Sequence, residues 1–569
     1  MQLMEYTQLA LFLGLLALMS PVLGRFIGRA VLRGEQTWMH SVLGPVERLI
    51  YRASGIRPEA RQSWRQYAAS LCAFSAAGFL MTFGVLMLQD KLPLNPQGFP
   101  GLSWHLAFNT AVSFLTNTNW QSYAGESTVS HFSQMVGLAY HNFVSAAAGL
   151  AVAVAVMRGL ASQESKTIGN FWADLVRSVL YVLLPISLVL AVVLVGQGVV
   201  QTMSAGTEVA TLEGGRQFIA MGPTASQVAI KMLGTNGGGF FNANAAHPLE
   251  NPTALSNLLQ MLAIFIIPSS LVFTLGGAVS NRRHAWTVWF VMACLFMVGA
   301  CSLYRAETLG TPLLTEVAQA PVTNMEGKEV RFGIFGSAMF ATVTTDASCG
   351  AVNAMHDSLT PLGGLVTLVN MQMGEVIFGG VGSGMYGMVL FILLTVFLAG
   401  LMVGRTPDYL GKRIEGREVT LAMLALIIAA TPPLLFSAVA AVSGWGQAAL
   451  NNAGAHGFSE ILYAYTSGVQ NNGSAFAGLN ANSPAWNVTI ALAMLIGRFG
   501  VMLPMLGVAG SMASRRARPI GEFSFPVSGF TFGLLLTLVI VIVGALTYLP
   551  ALALGPVVEH FQMLDGLLH

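Results

Sequence analysis

The chain has 569 residues, of which 54% are hydrophobic and only 9% are charged. A soluble domain usually carries about a quarter charged residues, so this composition excludes an ordinary water-soluble fold and points to a bilayer. The formal net charge of +2 excludes little by itself, and nothing in it asks for a nucleic-acid partner.

In chain order, the apolar stretch from Met1 to Gly24 carries Glu5 and has no basic leader. It reads as a retained first span rather than a cleaved signal. A spanning helix needs about 20 mostly apolar residues. Ten stretches qualify: 6–28, 66–89, 129–157, 174–200, 254–281, 285–304, 361–404, 419–443, 486–511 and 527–552. Every second connection is basic. Eight arginines lie from Arg25 to Arg65, followed by Arg158, Lys166 and Arg177, then Arg282 and Arg283. Arg405, Lys412, Arg413 and Arg417 come next, and Arg515, Arg516 and Arg518 last. That alternation is what one fixed orientation with positive loops inside requires, and it sets both termini outward.

The stretch 361–404 is too long for one straight helix, and Gly379-Gly380-Val381-Gly382-Ser383-Gly384 interrupts it. Two crossings there would place the last two basic clusters outside, so one crossing broken at depth is expected. Irregular backbone survives in a bilayer only where protein or trapped water satisfies it, which makes Gly380 and Gly382 candidates for a gate or constriction.

The outward connections after spans 2, 4, 6 and 8 each hold a helix-like segment too short to cross. They end in Thr116-Asn117-Thr118-Asn119, Thr235-Asn236-Gly237-Gly238, Ala347-Ser348-Cys349-Gly350 and Asn471-Asn472-Gly473-Ser474. Aligning Asn119, Gly237, Gly350 and Gly473 gives steps of 118, 113 and 123 residues. Eleven positions later stand Ser130, Pro248, Pro361 and Pro484, and each proline is expected in the first turn of the next span. The expected fold is an all-α membrane protein with ten transmembrane helices. Four helix–pore loop–helix repeats are arranged as in potassium channels, with one extra helix at each end. The divisions are a first span (1–28), a basic cytoplasmic segment (29–65), and repeats at 66–157, 158–281 and 282–404. A basic cytoplasmic loop (405–418), the fourth repeat (419–511), and a last span with an outward tail (512–569) complete it.

A half-inserted helix points its carbonyl end at the membrane centre, and four such ends on one axis attract a cation. Neutral Asn, Thr, Ser and backbone oxygens suit a large monovalent ion. No acidic residue holds an aligned position, which favours potassium over divalent ions. Glu375 and Arg498 lie 14 residues after Pro361 and Pro484. They read either as a structural salt bridge or as a charged exit from the filter. Lys231 is expected to snorkel outward. Cys72, Cys294, Cys301 and Cys349 show no C-x-x-C spacing, so neither a disulfide framework nor a cysteine zinc site is expected. His247, His356 and His456 read as ordinary vestibule residues, with no transition metal.

Gly234-Thr235-Asn236-Gly237-Gly238-Gly239-Phe240-Phe241-Asn242-Ala243-Asn244, Ser348 to Asp357 and Gln470 to Phe476 carry a family resemblance, as do Gly404 to Lys412 and Arg33 to Met39. With these stretches the chain resembles the potassium-binding subunit of the bacterial Kdp transporter, an ATP-driven potassium uptake system, through nearly its whole length. The resemblance implies a complex in the inner membrane with two small membrane subunits and a P-type ATPase catalytic subunit. Potassium would enter from outside and pass through a tunnel to the catalytic subunit, which uses the ATP. It implies filter residues Asn117 to Asn119, Thr235 to Gly238, Ser348 to Gly350 and Asn471 to Gly473, that is Asn117, Thr118, Asn119, Thr235, Asn236, Gly237, Gly238, Ser348, Cys349, Gly350, Asn471, Asn472 and Gly473. It also implies a selectivity role for Gln121, and places Glu375, Arg405 and Arg498 between filter, tunnel and partner. The sequence departs from the family pattern at Asp346, where a small uncharged residue is more usual, and in a longer tail after Val558.

Independently, the chain holds no G-x-x-x-x-G-K-[ST] loop and no D-K-T-G phosphorylation sequence, so ATP-driven transport needs energy from another chain. Two other readings stay open. One is a stand-alone pore-loop potassium channel or symporter. The other is an intramembrane enzyme using Cys349, His356 and Asp357.

Overall fold

The computed structural model describes residues 3–320, 322–405, 407–517 and 525–567. Thr406 and Arg518, from two of the basic connections, lie outside the described residues. Helices come in chain order as α1 (Met4–Arg33), α2 (Trp64–Met87), the short α3 (Trp104–Leu115), α4 (Ser133–Ala161) and α5 (Phe171–Gly196). Then come the short α6 (Thr224–Leu233), α7 (Ala254–Ala278), α8 (Arg282–Leu309), the short α9 (Gly333–Asp346) and α10 (Pro361–Gln372). The series ends with α11 (Ser383–Met402), α12 (Gly416–Val442), the short α13 (Gly454–Gln470), α14 (Pro484–Ala513) and α15 (Phe530–Leu564). Ten of these are long and apolar enough to cross a membrane, among the described residues. The short helices α3, α6, α9 and α13 extend about 15–26 Å and cannot cross about 30 Å of hydrocarbon.

The broken crossing is present: α10 ends at Gln372, and α11 starts at Ser383 after an irregular stretch with left-handed Gly374, Glu375, Phe378 and Gly382. Two small hairpins stand outside the all-helical expectation. β1 (Gly206–Ala210) pairs with β2 (Arg216–Ala220), and β3 (Asp408–Tyr409) with β4 (Lys412–Arg413). Lys412 on β4 donates to the carbonyls of Gly159 and Met512 at 3.0 and 2.8 Å, and to that of Ser162. It thereby caps the carboxyl ends of α4 and α14 with one ammonium group.

The helices that follow the first three pore loops face the centre, whereas α14, after the fourth, is 50% buried, as is α8. In their most apolar stretches α4, α7 and α11 are 89%, 83% and 78% buried, against 28%, 33% and 22% for α2, α5 and α12. The outer helices therefore present their leucines and valines to lipid, and the inner ones carry small residues against the loops.

Starts of the inner helices follow cap chemistry. Thr360 Oγ1 accepts from Gly363 N with Pro361 in the first turn, and Ser483 precedes Pro484 in the same way. Ser130 Oγ accepts from Ser133 N at the start of α4. Pro248 departs from the expectation. It sits in the turn before α7, which starts six residues later at Ala254, where Thr253 and Ser256 form a capping box. The reciprocal hydroxyl–amide bonds satisfy orphan N–H groups that a proline could only have removed.

The extra helix α1 lies along α7 through small residues. Ser20 Oγ and Ser269 Oγ are 2.7 Å apart, and Thr274 Oγ1 donates to Gly24 O at 2.9 Å. A Cβ on Gly24 would collide with Ser270 O. Close backbone approach of this kind is what holds helices together where lipid offers no hydrophobic contrast. Gly24→Leu is expected to destabilise the protein by about 1–3 kcal/mol. Thermal unfolding in detergent would show it as a lowered Tm, with the exposed Leu18→Ala changing little.

Candidate functional site

Each short helix ends at the register read from the sequence, and each loop begins with a left-handed residue. Asn117, Thr235, Ser348 and Asn471 have φ of 69°, 50°, 55° and 60°. Two residues later the left-handed torsion recurs at Asn119 (55°), Gly237 (92°) and Gly473 (98°), while Gly350 does not share it. A left-handed residue at every second position flips alternate peptide planes, bringing successive carbonyls to one side of the strand. Thr235 is branched at Cβ, so its left-handed torsion is disfavoured locally and is held by the surroundings.

The four loops touch in a closed ring. Asn117 Nδ2 donates to the carbonyls of Gly234 and Thr235, both at 3.1 Å, and Asn236 Nδ2 returns a bond to Asn117 Oδ1 at 2.6 Å. Gly350 N donates to Asn236 O at 3.3 Å, and a Cβ on Gly237 would collide with Gly350 N. Ser348 Oγ lies 2.9 Å from Gln470 O, and Asn472 Nδ2 donates to Thr344 O at 3.0 Å. A Cβ on Gly350 would lie 2.9 Å from the Gly473 carbonyl carbon. The ring closes where Asn471 Nδ2 donates to Thr118 Oγ1 at 3.0 Å and a Cβ on Gly473 would collide with Thr118 O. Gly238 faces Asn119, whose Cβ would be 2.7 Å from an added one.

Two cavities flank this ring. One of about 680 Å³ is lined by Asn119, Gln121, Gly238, Gly350 and Gly473 among others. On the other side a cavity of about 230 Å³ is lined by Glu375, Tyr386, Gln470, Asn471 and Arg498 among others. Gln121 holds the second loop by both backbone groups of Gly239, at 3.0 and 3.2 Å.

Glu375, in the break between α10 and α11, grips two loops from beneath: Ser348 Oγ and Asn472 Nδ2 both donate to it, the latter at 2.9 Å. Thr235 Oγ1 accepts from Val381 N at 2.9 Å, and a Cβ on Gly380 would meet Ser348 Cβ at 2.7 Å. Gly382, at φ 90°, leaves no room for a side chain against Gly149 O. Arg498 donates to Ser145 O at 3.1 Å, and among the described residues it makes no ion pair with Glu375. The two opposite charges share the smaller cavity without touching. Arg405 lies past the far end of α11, about 30 Å from the ring by helix length.

Lys231 does not snorkel. It is fully buried, with Nζ 2.5 Å from Glu250 Oε2 and 2.7 Å from Asn244 Oδ1. Asn244 in turn donates to Gly237 O at 2.6 Å, so the pair braces the second loop. Pore helix α6 is buried on nearly every side, which leaves the ammonium no route to water. The catalytic arrangement of Cys349, His356 and Asp357 is not assembled. His356 bonds Tyr463 OH, Asp357 bonds His456, and Cys349 N donates to Thr344 O. Ser145, Asn142, Asn244 and Thr344, which hold the loops, carried no signal in the repeat alignment. Asp346 is buried behind the third loop, and neither carboxyl oxygen has a hydrogen-bond partner.

A family model described as the potassium-transporting ATPase A subunit matches residues 10–561. A potassium-transporting ATPase potassium-binding subunit from Nitratidesulfovibrio vulgaris (strain DP4) is 98% identical over 569 residues, all of both chains. One from Granulibacter bethesdensis is 56% identical over 559 residues, 98% of each chain. The crystal structure of the potassium transporter TrkH from Vibrio parahaemolyticus covers 88% of this chain and 98% of its own, with a TM-score of 0.51 and 15% identity. That last likeness is one of fold.

Lys231→Met strands a buried carboxylate and is expected to cost about 3–5 kcal/mol, with Lys231→Met/Glu250→Leu recovering much of it. Thermal unfolding of the two variants checks this. Charge reversal at Arg498 is expected to lose transport without rescue by reversal at Glu375, measured as coupling in a double-mutant cycle of transport rates.

Proposed function

The chain belongs to the family of potassium-transporting ATPase A subunits, and from that premise we propose that the loop ring is its potassium filter. The observation that carries the proposal is the closed contact of four loops with left-handed backbone at four equivalent positions. Backbone oxygens of Asn117 to Asn119, Thr235 to Gly238, Ser348 to Gly350 and Asn471 to Gly473 replace the ion's water. The carbonyl ends of α3, α6, α9 and α13 add partial negative charge along the same axis. Neutral ligands favour a monovalent ion with a loosely held hydration shell, and the absence of a carboxylate at the aligned positions disfavours a divalent one.

Potassium enters through the larger cavity, where Gln121 fixes the rim of the second loop. It leaves through the smaller one. There Glu375 attracts the dehydrated ion while Arg498 repels it, so that neither entry nor release is trapped by an isolated charge. The glycine loop at Gly380 and Gly382 is the constriction between filter and tunnel. The tunnel delivers the ion to a P-type ATPase catalytic subunit, which hydrolyses the ATP. Two small membrane subunits complete the complex, and Arg405 stands at the face toward the partners. The complex resides in the inner membrane with both termini of this chain outward, as the alternating basic connections require.

Purification from native membranes should bring down these partner chains, and the assembled complex should show potassium-stimulated ATP hydrolysis. Gly237→Asp is expected to abolish preference for potassium over sodium and ammonium in that assay, because it adds a side chain and a carboxylate to a backbone ring. Unchanged discrimination would remove the filter assignment. Sustained potassium flux through the chain alone in liposomes, without nucleotide, would instead make it a self-sufficient channel.

A further inference from the structure

Outside the loop ring, three chain segments bring one imidazole and three carboxylates together. His456 and Glu460 stand one turn apart on α13, Asp357 comes from the short turn before α10, and Glu559 from the last turns of α15. One ligand atom each from Asp357, His456 and Glu460 lie within 4.8 Å of one another. His456 Nε2 is 3.1 Å from Asp357 Oδ1, and Nδ1 is 2.8 Å from Glu559 Oε1.

The imidazole nitrogen that faces Asp357 needs either a proton or a metal ion on it. With Nδ1–H given to Glu559, the lone pair on Nε2 faces a carboxylate lone pair unless something positive lies between. Among the described residues no lysine or arginine pairs with Asp357, Glu460 or Glu559. Glu460 is fully buried; Asn452 donates to its Oε1 at 2.8 Å, and its Oε2 has no hydrogen-bond partner.

We propose that Asp357, His456 and Glu460 form a binding site for a divalent transition ion of the zinc class, with Glu559 orienting the imidazole. This departs from the expectation that His456 is an ordinary vestibule residue. The 3.1 Å separation of Nε2 and Oδ1 corresponds to an angle of about 100° at an ion with ordinary zinc–ligand distances, close to tetrahedral. A nitrogen donor among carboxylates separates this class from calcium and magnesium, which take oxygen ligands. The carboxylate on the far ring nitrogen is the usual outer support of a metal-bound histidine. An ion here would fasten the last helix and the turn before α10 to the start of the fourth pore helix, while the filter end of that helix stays free of it.

The test is metal titration of the full-length, untagged protein after chelator treatment. One equivalent of Zn²⁺ should bind and resist millimolar Ca²⁺, and Co²⁺ should give a visible ligand-field band. His456→Gln and Glu460→Gln should each abolish that equivalent and the band, whereas His247→Gln should leave both intact. Glu559→Gln should weaken binding by about 10–100-fold. A Tm of each variant measured without metal separates lost binding from lost fold. No saturable Zn²⁺, or a Zn²⁺ equivalent indifferent to both His456→Gln and Glu460→Gln, would overturn the proposal and leave a proton as the occupant.

Discussion

Backbone must meet backbone at the centre of this molecule. Gly237 against Gly350, Gly350 against Gly473, Gly473 against Thr118 and Gly238 against Asn119 leave no volume for added Cβ atoms at the four junctions. That constraint fixes how far each short helix enters and sets the spacing of the inner helices behind it. The junction between the first two loops adds asparagine side-chain hydrogen bonds to that close approach. The ring is pseudo-symmetric in its torsions and asymmetric in its chemistry.

Polar groups in the interior follow from the same constraint. A loop inserted at depth brings unpaired amides and carbonyls with it, and each must find a partner away from water. Ser145, Asn142, Asn244 and Thr344 supply many of these partners, and the Lys231–Glu250 pair extends the support to the second loop. A buried ion pair contributes little net stability compared with apolar packing, but it punishes the loss of either member. Its value here lies in holding Asn244 where Gly237 O needs a donor.

Much of this was legible in the sequence. Ten apolar stretches, the four short segments between them and the glycine interruption at 379–384 all mark elements present in the fold, because length and polarity alone decide whether a segment can cross. The register of the loops was legible for a related reason: Gly and Asn suit the left-handed torsions, and small side chains suit the close contacts. Side-chain partnership was not legible. Lys231 and Glu250 stand 19 residues apart, and nothing in a linear pattern says that a loop folds one over the other. Pro248 was misplaced because a proline signals a helix start only when no better cap follows, and Thr253 with Ser256 is a better cap. The approach of Asp357, His456 and Glu559 depends on three distant segments and left only the His456–Glu460 spacing as a trace.

The break between α10 and α11 acts as a yoke. Through Glu375 it is bonded to the third and fourth loops, and through Val381 to the second, so it cannot shift without loosening three walls of the ring together. On the proposed filter role, occupancy of the ring and position of the yoke are thermodynamically linked, and the linkage is reciprocal. On that role, whatever displaces the broken helix would weaken the grip on the ion by the same factor by which a held ion would resist that displacement.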